Sequence, residues 1–304
     1  MLILFEKMLL LIALLLLGYL CVRLKLVGKD FNKGLSKLVI NVFLVGLILS
    51  SVINHEMSMS GRDIVMGLLM MTVVFVISLG IGYIAPLLPG MKNSDKGMYR
   101  LLVAFMNNGF MGMPLVAAVY GTEAVFFASL SNIPFNLLLY TVGMRMLQPE
   151  QEGGFDIKRA INAPIVATLV AVVIFAFNIH MPQLVDDLFD NLSNATVPLA
   201  MMCVGMSLGE VSLKEALMQP KLYVLSLLRL IVCPIVTWFV LRFFISDPVM
   251  LGTITMICAT PSAVVCTILG LETGRDGVES SEAIFISTLL SAVTIPVLIT
   301  VLGI

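Results

Sequence analysis

Asn107-Asn108-Gly109-Phe110-Met111-Gly112-Met113-Pro114 is the stretch that decides how this chain is read. Two adjacent amides, a glycine and a proline interrupt an apolar run over residues 99–120. Inside lipid every backbone N–H and C=O needs a partner, so irregular backbone at that depth is confined to places buried in protein or lining a cavity. A second interruption, Thr260-Pro261-Ser262-Ala263-Val264, falls in the run 248–270. Paired breaks of this kind, one in each half of a membrane chain, point to the binding site of a transporter.

The rest of the composition agrees. The 304 residues are 59% hydrophobic and 12% charged, with mean hydropathy +1.05; soluble domains carry about twice that charge. A net charge of −1 offers nothing to nucleic acid. There is no HExxH, no Gly-rich phosphate loop and no GxSxG turn, so catalysis is not expected. Cys21, Cys203, Cys233, Cys258 and Cys266 lie in apolar stretches without a CxxC and read as small buried hydrophobes. No metal site or cofactor is expected. The 21 methionines read as lipid-facing filler. The leucine-rich opening lacks a small-residue cleavage site and is followed by Arg23 and Lys25, which suits an uncleaved first span.

Apolar runs fall near 2–22, 35–53, 64–88, 99–120, 123–147, 162–179, 186–208, 218–245, 248–270 and 281–303. The seventh is the weakest, because Asp186, Asp187, Asp190 and Asn191 crowd its start. If all ten cross, one side collects 14 basic residues and the other only Lys7, Arg62 and Arg242. If the seventh does not cross, the split falls to 12 against five. Basic residues favour the cytoplasmic side. The expectation is ten spans in an inner (plasma) membrane, with both termini outside the cytoplasm.

Glu123–Leu130 (EAVFFASL) and Glu282–Leu289 (EAIFISTL) share four of eight positions at an offset of 159 residues. Each opens the last span of a five-span half. An odd number of spans inverts the second half relative to the first, the arrangement of many secondary transporters. The expected organisation is therefore a first repeat over 1–147, a cytoplasmic linker over 148–161 and a second, inverted repeat over 162–304.

Candidate binding residues cluster at the breaks. Asn107, Asn108, Gly109 and Pro114 serve the first and Pro261 and Ser262 the second. Half-helix N-termini meeting there would carry partial positive charge and exposed amides, which suits an anion. Arg229 lies about 16 Å along the eighth span at 1.5 Å per residue. A charge at that depth needs a partner or a wet cavity. Two readings stand open: it binds or steers an anion, or it caps carbonyls at a broken helix's C-terminal end. Asn132 and Asn136, four residues apart on one face of the fifth span, either line the path or bridge helices. Glu123 and Glu282 follow Thr122 and Ser281 and read as first-turn residues complementing the helix dipole. His55 and His180 read as solvated loop residues.

These pieces resemble the auxin efflux carrier family, which includes plant auxin exporters and bacterial malonate or malate permeases. The resemblance rests on NNGFMGMPLVAAVYG (107–121), RLIVCP (229–234), ATPSAVVCTIL (259–269) and Ser281 to Pro296. Asn108 stands where the family usually has Thr, Met106 where plant exporters have Pro, and Gly46 where the second span often has Pro. The long hydrophilic central loop of many plant members is absent. The resemblance implies a scaffold of spans one, two, six and seven that often dimerises. It also implies a moving transport domain of spans three to five and eight to ten, with crossing helices four and nine holding the substrate.

The expected fold is an all-α integral membrane protein of ten transmembrane helices in two inverted five-helix repeats, with broken crossover helices four and nine. The expected function is secondary transport of a small organic anion by elevator-type alternating access. The expected partners are the lipid bilayer, a proton or sodium coupling ion and a second copy of the chain. The alternatives are a sodium-coupled symporter of a related inverted-repeat fold, or a membrane-embedded channel or sensor.

Overall fold

Proline and short polar residues set where the helices begin. Asn162 accepts from the Ile165 amide (3.1 Å) and Asp247 from the Met250 amide (2.8 Å), each just ahead of a proline in the first turn. The missing proline donor costs nothing there, because first-turn amides have no partner inside the helix.

The computed structural model describes residues 2–53, 61–88, 96–148, 161–209, 216–275 and 277–304. Most of the expected linker, together with His55, Lys92, Lys158, Arg159 and Lys214, lies outside them. In chain order the helices are α1 (Leu2–Arg23), α2 (Lys29–Leu38), α3 (Leu44–Ser50), α4 (Gly61–Ile84), α5 (Lys96–Ala104), α6 (Met113–Tyr120), α7 (Ala124–Leu130), α8 (Asn132–Leu138) and α9 (Met144–Leu147). They continue as α10 (Ala163–Phe177), α11 (Gln183–Gly209), α12 (Pro220–Leu227), α13 (Cys233–Leu241), α14 (Pro248–Cys258), α15 (Val265–Glu272) and α16 (Gly277–Leu302). Wider π turns sit at Val39–Phe43, Asn108–Gly112, Leu139–Gly143 and Leu228–Val232.

Among the described residues, six helical stretches are long and apolar enough to cross a membrane: Asp30–Ser50, Gly61–Leu87, Ala124–Leu147, Gln183–Gly209, Pro220–Leu241 and Gly277–Leu302. Leu9–Arg23, Ala163–Phe177 and Pro248–Cys258 add shorter apolar helices. The weak seventh run is thus one of the six, as a 27-residue helix.

The chain divides into two compact units. The first holds Met1–Leu69, Asn108–Asn132 and Ile161–Glu210; the second holds Met70–Asn107, Ile133–Ala160 and Val211–Ile304. Spans three, four and five are therefore shared, with the boundaries at the 69/70, 107/108 and 132/133 peptides.

In the first unit α1 lies directly against α11. A Cβ on Gly205 would land on the Leu15 carbonyl, and one on Gly18 on the Met202 carbonyl. Close backbone approach through small residues is the usual glue between membrane helices, where lipid removes the hydrophobic drive. Gly46 likewise admits the Leu192 side chain. The Val39–Phe43 π turn is satisfied from outside: Thr196 donates to the Phe43 carbonyl at 2.8 Å. Ser50 donates to Asp190 (2.8 Å) and Asn32 to Ser207 (3.2 Å).

Gly205→Ala weighs two effects. Alanine gains up to about 1 kcal/mol of helix propensity, while overpacking costs about 1–3 kcal/mol or more. Here the added methyl meets rigid backbone, so the clash wins. The variant is expected to show a lower thermal midpoint in detergent; a midpoint equal to the parent's would show that the two helices part at no cost.

Candidate functional site

The second unit contains the paired breaks. After Phe105, whose amide still reaches Leu101 (3.0 Å), helical bonding lapses and the chain runs extended. Met106 forms an antiparallel bridge with Ser262. The Asn107 amide donates to the Pro261 carbonyl (2.8 Å), and the Ala263 amide donates to the Phe105 carbonyl (2.9 Å). Two segments 156 residues apart, from Met106 to Ser262, thus satisfy each other's backbone, as burial in an apolar interior requires. Pro261 brings no donor that needs a partner. Ser262 ties the strip down on both sides: its hydroxyl donates to Leu102 (2.6 Å), and its amide donates to the Ser287 hydroxyl (3.4 Å). Phe75, Phe105 and Phe135 pack around the first segment with centroids 5.7–6.1 Å apart, in tilted and edge-on pairings.

The lapse lies earlier than the sequence suggested. It covers 105–107 rather than 107–114, and Pro114 falls in the first turn of α6. The π turn at 108–112 resumes the helix two residues before that proline. The same pattern recurs at 228–232 before Pro234. Proline leaves the carbonyl four residues earlier without its donor, and a widened turn is one way to accommodate it.

Arg229 rides on that second π turn and is wholly buried. Its Nε donates to the Thr260 carbonyl (3.2 Å) and Nη1 to Val103 (2.8 Å). Its Nη2 donates to the Cys258 carbonyl and faces Cys258 Sγ at 3.5 Å. Val103 lies at the C-terminal end of α5 and Cys258 at that of α14. One guanidinium therefore holds the negative ends of two half-helices, where a cation is favoured. Of the two readings open for Arg229, this geometry is that of the carbonyl cap.

In the first unit, Asn108 donates to Ser131 Oγ (3.1 Å) and Asn132 Oδ1 (3.3 Å). Asn132 passes the chain on to Thr168 (3.2 Å), which donates to the Ser129 carbonyl (3.2 Å). Asn132 thus bridges helices, while Asn136 is buried in the second unit. A Cβ on Gly109 would meet only Leu44 Cδ2 at 3.5 Å, an ordinary contact. The structure thus gathers Asn107, Pro261, Ser262 and Arg229 around the paired breaks, and places Asn108, Gly109 and Pro114 in the other unit.

Ser287 and the carbonyls of Val103 and Cys258 are not marked by the sequence as parts of the site, whereas Thr260 belongs to the second interruption. Of the former, only Ser287, inside the EAIFISTL repeat, carried any signal. The two glutamates also differ from expectation. Helix α16 begins at Gly277, so Glu282 sits in its second turn, buried, and accepts from Gln219 Nε2. Glu123 precedes α7 with no side-chain cap bond. Glu279, one turn before Glu282, pairs with Lys221 and accepts from Tyr99 Oη (2.7 Å). Among the described residues no group of three or more His, Cys, Asp or Glu could hold a metal ion.

A family model described as a membrane transport protein matches residues 3–156 and 153–299. An uncharacterized transporter of Methanothermobacter thermautotrophicus is 26% identical over 292 residues, covering 96% of each chain. An uncharacterized transporter of Methanocaldococcus jannaschii is 26% identical over 302 residues, covering 95% of this chain and 96% of that one. With the match running through nearly all of a chain rich in apolar helices, this multi-pass membrane protein belongs to the membrane transport protein family of the auxin efflux carriers.

Proposed function

We propose that the chain is a secondary transporter of a small organic anion, a carboxylate or dicarboxylate such as malonate or malate. The observation that carries the reading is the antiparallel pairing of the two breaks, at 105–107 and 261–263. Such pairing gives an apolar interior a polar strip of fixed backbone. Asn107 would donate to the substrate carboxylate, with Ser262 and Asn136 completing the polar lining, while Asn108 is engaged with Ser131 and Asn132. Pro114 and Pro261 keep the half-helices from closing up. Arg229 contributes positive potential indirectly, by cancelling the negative ends of α5 and α14 so that positive N-terminal ends dominate locally.

Transport would run by elevator-type alternating access. Spans three to five and eight to ten would move, and spans one, two, six and seven would form a scaffold that pairs as a homodimer. The family match falling in two stretches that meet at 153–156 supports two halves of similar build. A proton or sodium ion would drive the cycle.

The test is counterflow in proteoliposomes with labelled malonate or malate. Saturable exchange that needs the anion on the opposite side is the expected result. Conductance that does not saturate would make the protein a channel.

The same reading has ten spans in the inner (plasma) membrane with both ends outside, from the 14-to-three split of basic residues. A reporter fused to the C-terminus is expected to be active only outside the cytoplasm; cytoplasmic activity would remove the ten-span topology.

A further inference from the structure

The elbow between α1 and α2 carries two kinds of exposed side chain. Arg23, Lys25, Lys33 and Lys37 are exposed, with Asp30 as the single acid between residues 23 and 37. Among them Leu24 (65% exposed), Leu26 (70%), Phe31 (54%) and Leu38 (47%) are exposed as well. At about 100° per residue, Lys33 and Lys37 form one strip of α2, and Phe31 and Leu38 form another. Asn32 and Val39, both buried, mark the face turned inward.

The turn itself is built around a charge. The amides of Lys25, Leu26 and Val27 fold back to Val22 and Cys21. This puts Lys25 at φ 57°, the left-handed position that ends many helices and favours glycine. Lysine there places an ammonium at the corner in a conformation its side chain disfavours. Arg23 is fixed beside it: Nε donates to Tyr19 Oη at 3.0 Å, and the guanidinium lies 5.2 Å from that ring's centre. Leucines beside lysines at a helix end suit a bilayer interface, where apolar side chains dip toward acyl chains and ammonium groups reach headgroups.

We propose that this elbow binds an anionic phospholipid. The phosphate sits among Arg23, Lys25, Lys33 and Lys37, and the acyl chains run along Leu24, Leu26, Phe31 and Leu38. Charge complementarity selects the occupant: a cationic strip bordered by exposed apolar residues matches a headgroup joined to hydrocarbon.

The test uses full-length protein in a neutral detergent, titrated with phosphatidylglycerol or phosphatidylcholine. Bound lipid is counted by native mass spectrometry, and thermal unfolding is followed in parallel. Phosphatidylglycerol is expected to stay bound and raise the midpoint more than phosphatidylcholine does, and less so as salt rises. In Lys25→Gly/Lys33→Gln/Lys37→Gln its binding should weaken about fivefold for each charge lost. The lipid-free midpoint should not fall, because glycine relieves the left-handed backbone. If the triple variant is not recovered, Lys37→Gln, at an exposed position, gives the same result at smaller amplitude. A parent with no preference between the lipids, or a variant that keeps the preference, overturns the proposal. So does equal stabilisation by inorganic phosphate, which would make the elbow a simple anion site.

Discussion

Arg229→Gln should yield far less folded protein than the parent, with a thermal midpoint lower by many degrees. The guanidinium serves three buried carbonyls, those of Val103, Cys258 and Thr260. A buried polar group left without a partner costs about 1–3 kcal/mol. Glutamine is too short to reach both half-helix ends and carries no charge to offset them. Arg229→Lys keeps the charge but loses the planar fork, so it should fold with an intermediate midpoint. Detergent-solubilised yield and midpoint for the two variants make the comparison. A glutamine variant as stable as the parent would mean that the two ends hold without the clamp. A lysine variant that matches the parent in both stability and exchange would reduce Arg229 to a bare positive charge.

Asn107→Ala should do the opposite, leaving the fold and removing the ligand. The bond that ties Asn107 to Pro261 comes from its backbone amide, which alanine retains. The pairing of the two breaks therefore survives the substitution. Under the anion reading, the side-chain amide is what the carboxylate would lose. A substrate present at 100 times its Kd adds about 2.7 kcal/mol to the stability of a protein that binds it. The parent should show that increment with its dicarboxylate and the variant next to none. The readout is the ligand-induced shift in midpoint, measured beside the ligand-free midpoint. A full shift in the variant removes Asn107 from the site.

The sequence exposes what depends on local chemistry. Pro261 and the Asn107-Asn108 pair mark interrupted helices without any structure, because neither belongs in a regular helix surrounded by lipid. Arg229 announces itself by depth. Partnership across the chain is what stays hidden. Nothing near Met106 says that Ser262 lies opposite, and nothing near Arg229 names the carbonyls of Val103 and Cys258. Backbone carbonyls exist at every position, so no residue type flags the three that matter. The π turns are equally silent, since a helix that widens for five residues keeps almost the same apolar pattern. Only Pro114 and Pro234, each two residues past such a turn, leave a trace. Glu282 lies one turn deeper than Ser281 before it suggests, because α16 begins at Gly277, and glycine gives no warning of a helix start.

The clasp between α1 and α11 also bears on how the chain is made. Leu15 and Gly205 touch, yet the ribosome synthesises them about 190 residues apart. At about 5–20 residues per second, that delay is roughly 10–40 seconds. Throughout it α1 sits in the bilayer with Gly18 facing no partner, because the helix it fits has not emerged. A nascent chain cut before residue 183 would never acquire that partner. Membrane biogenesis of this protein thus includes an interval in which its first helix must be sheltered or wait alone.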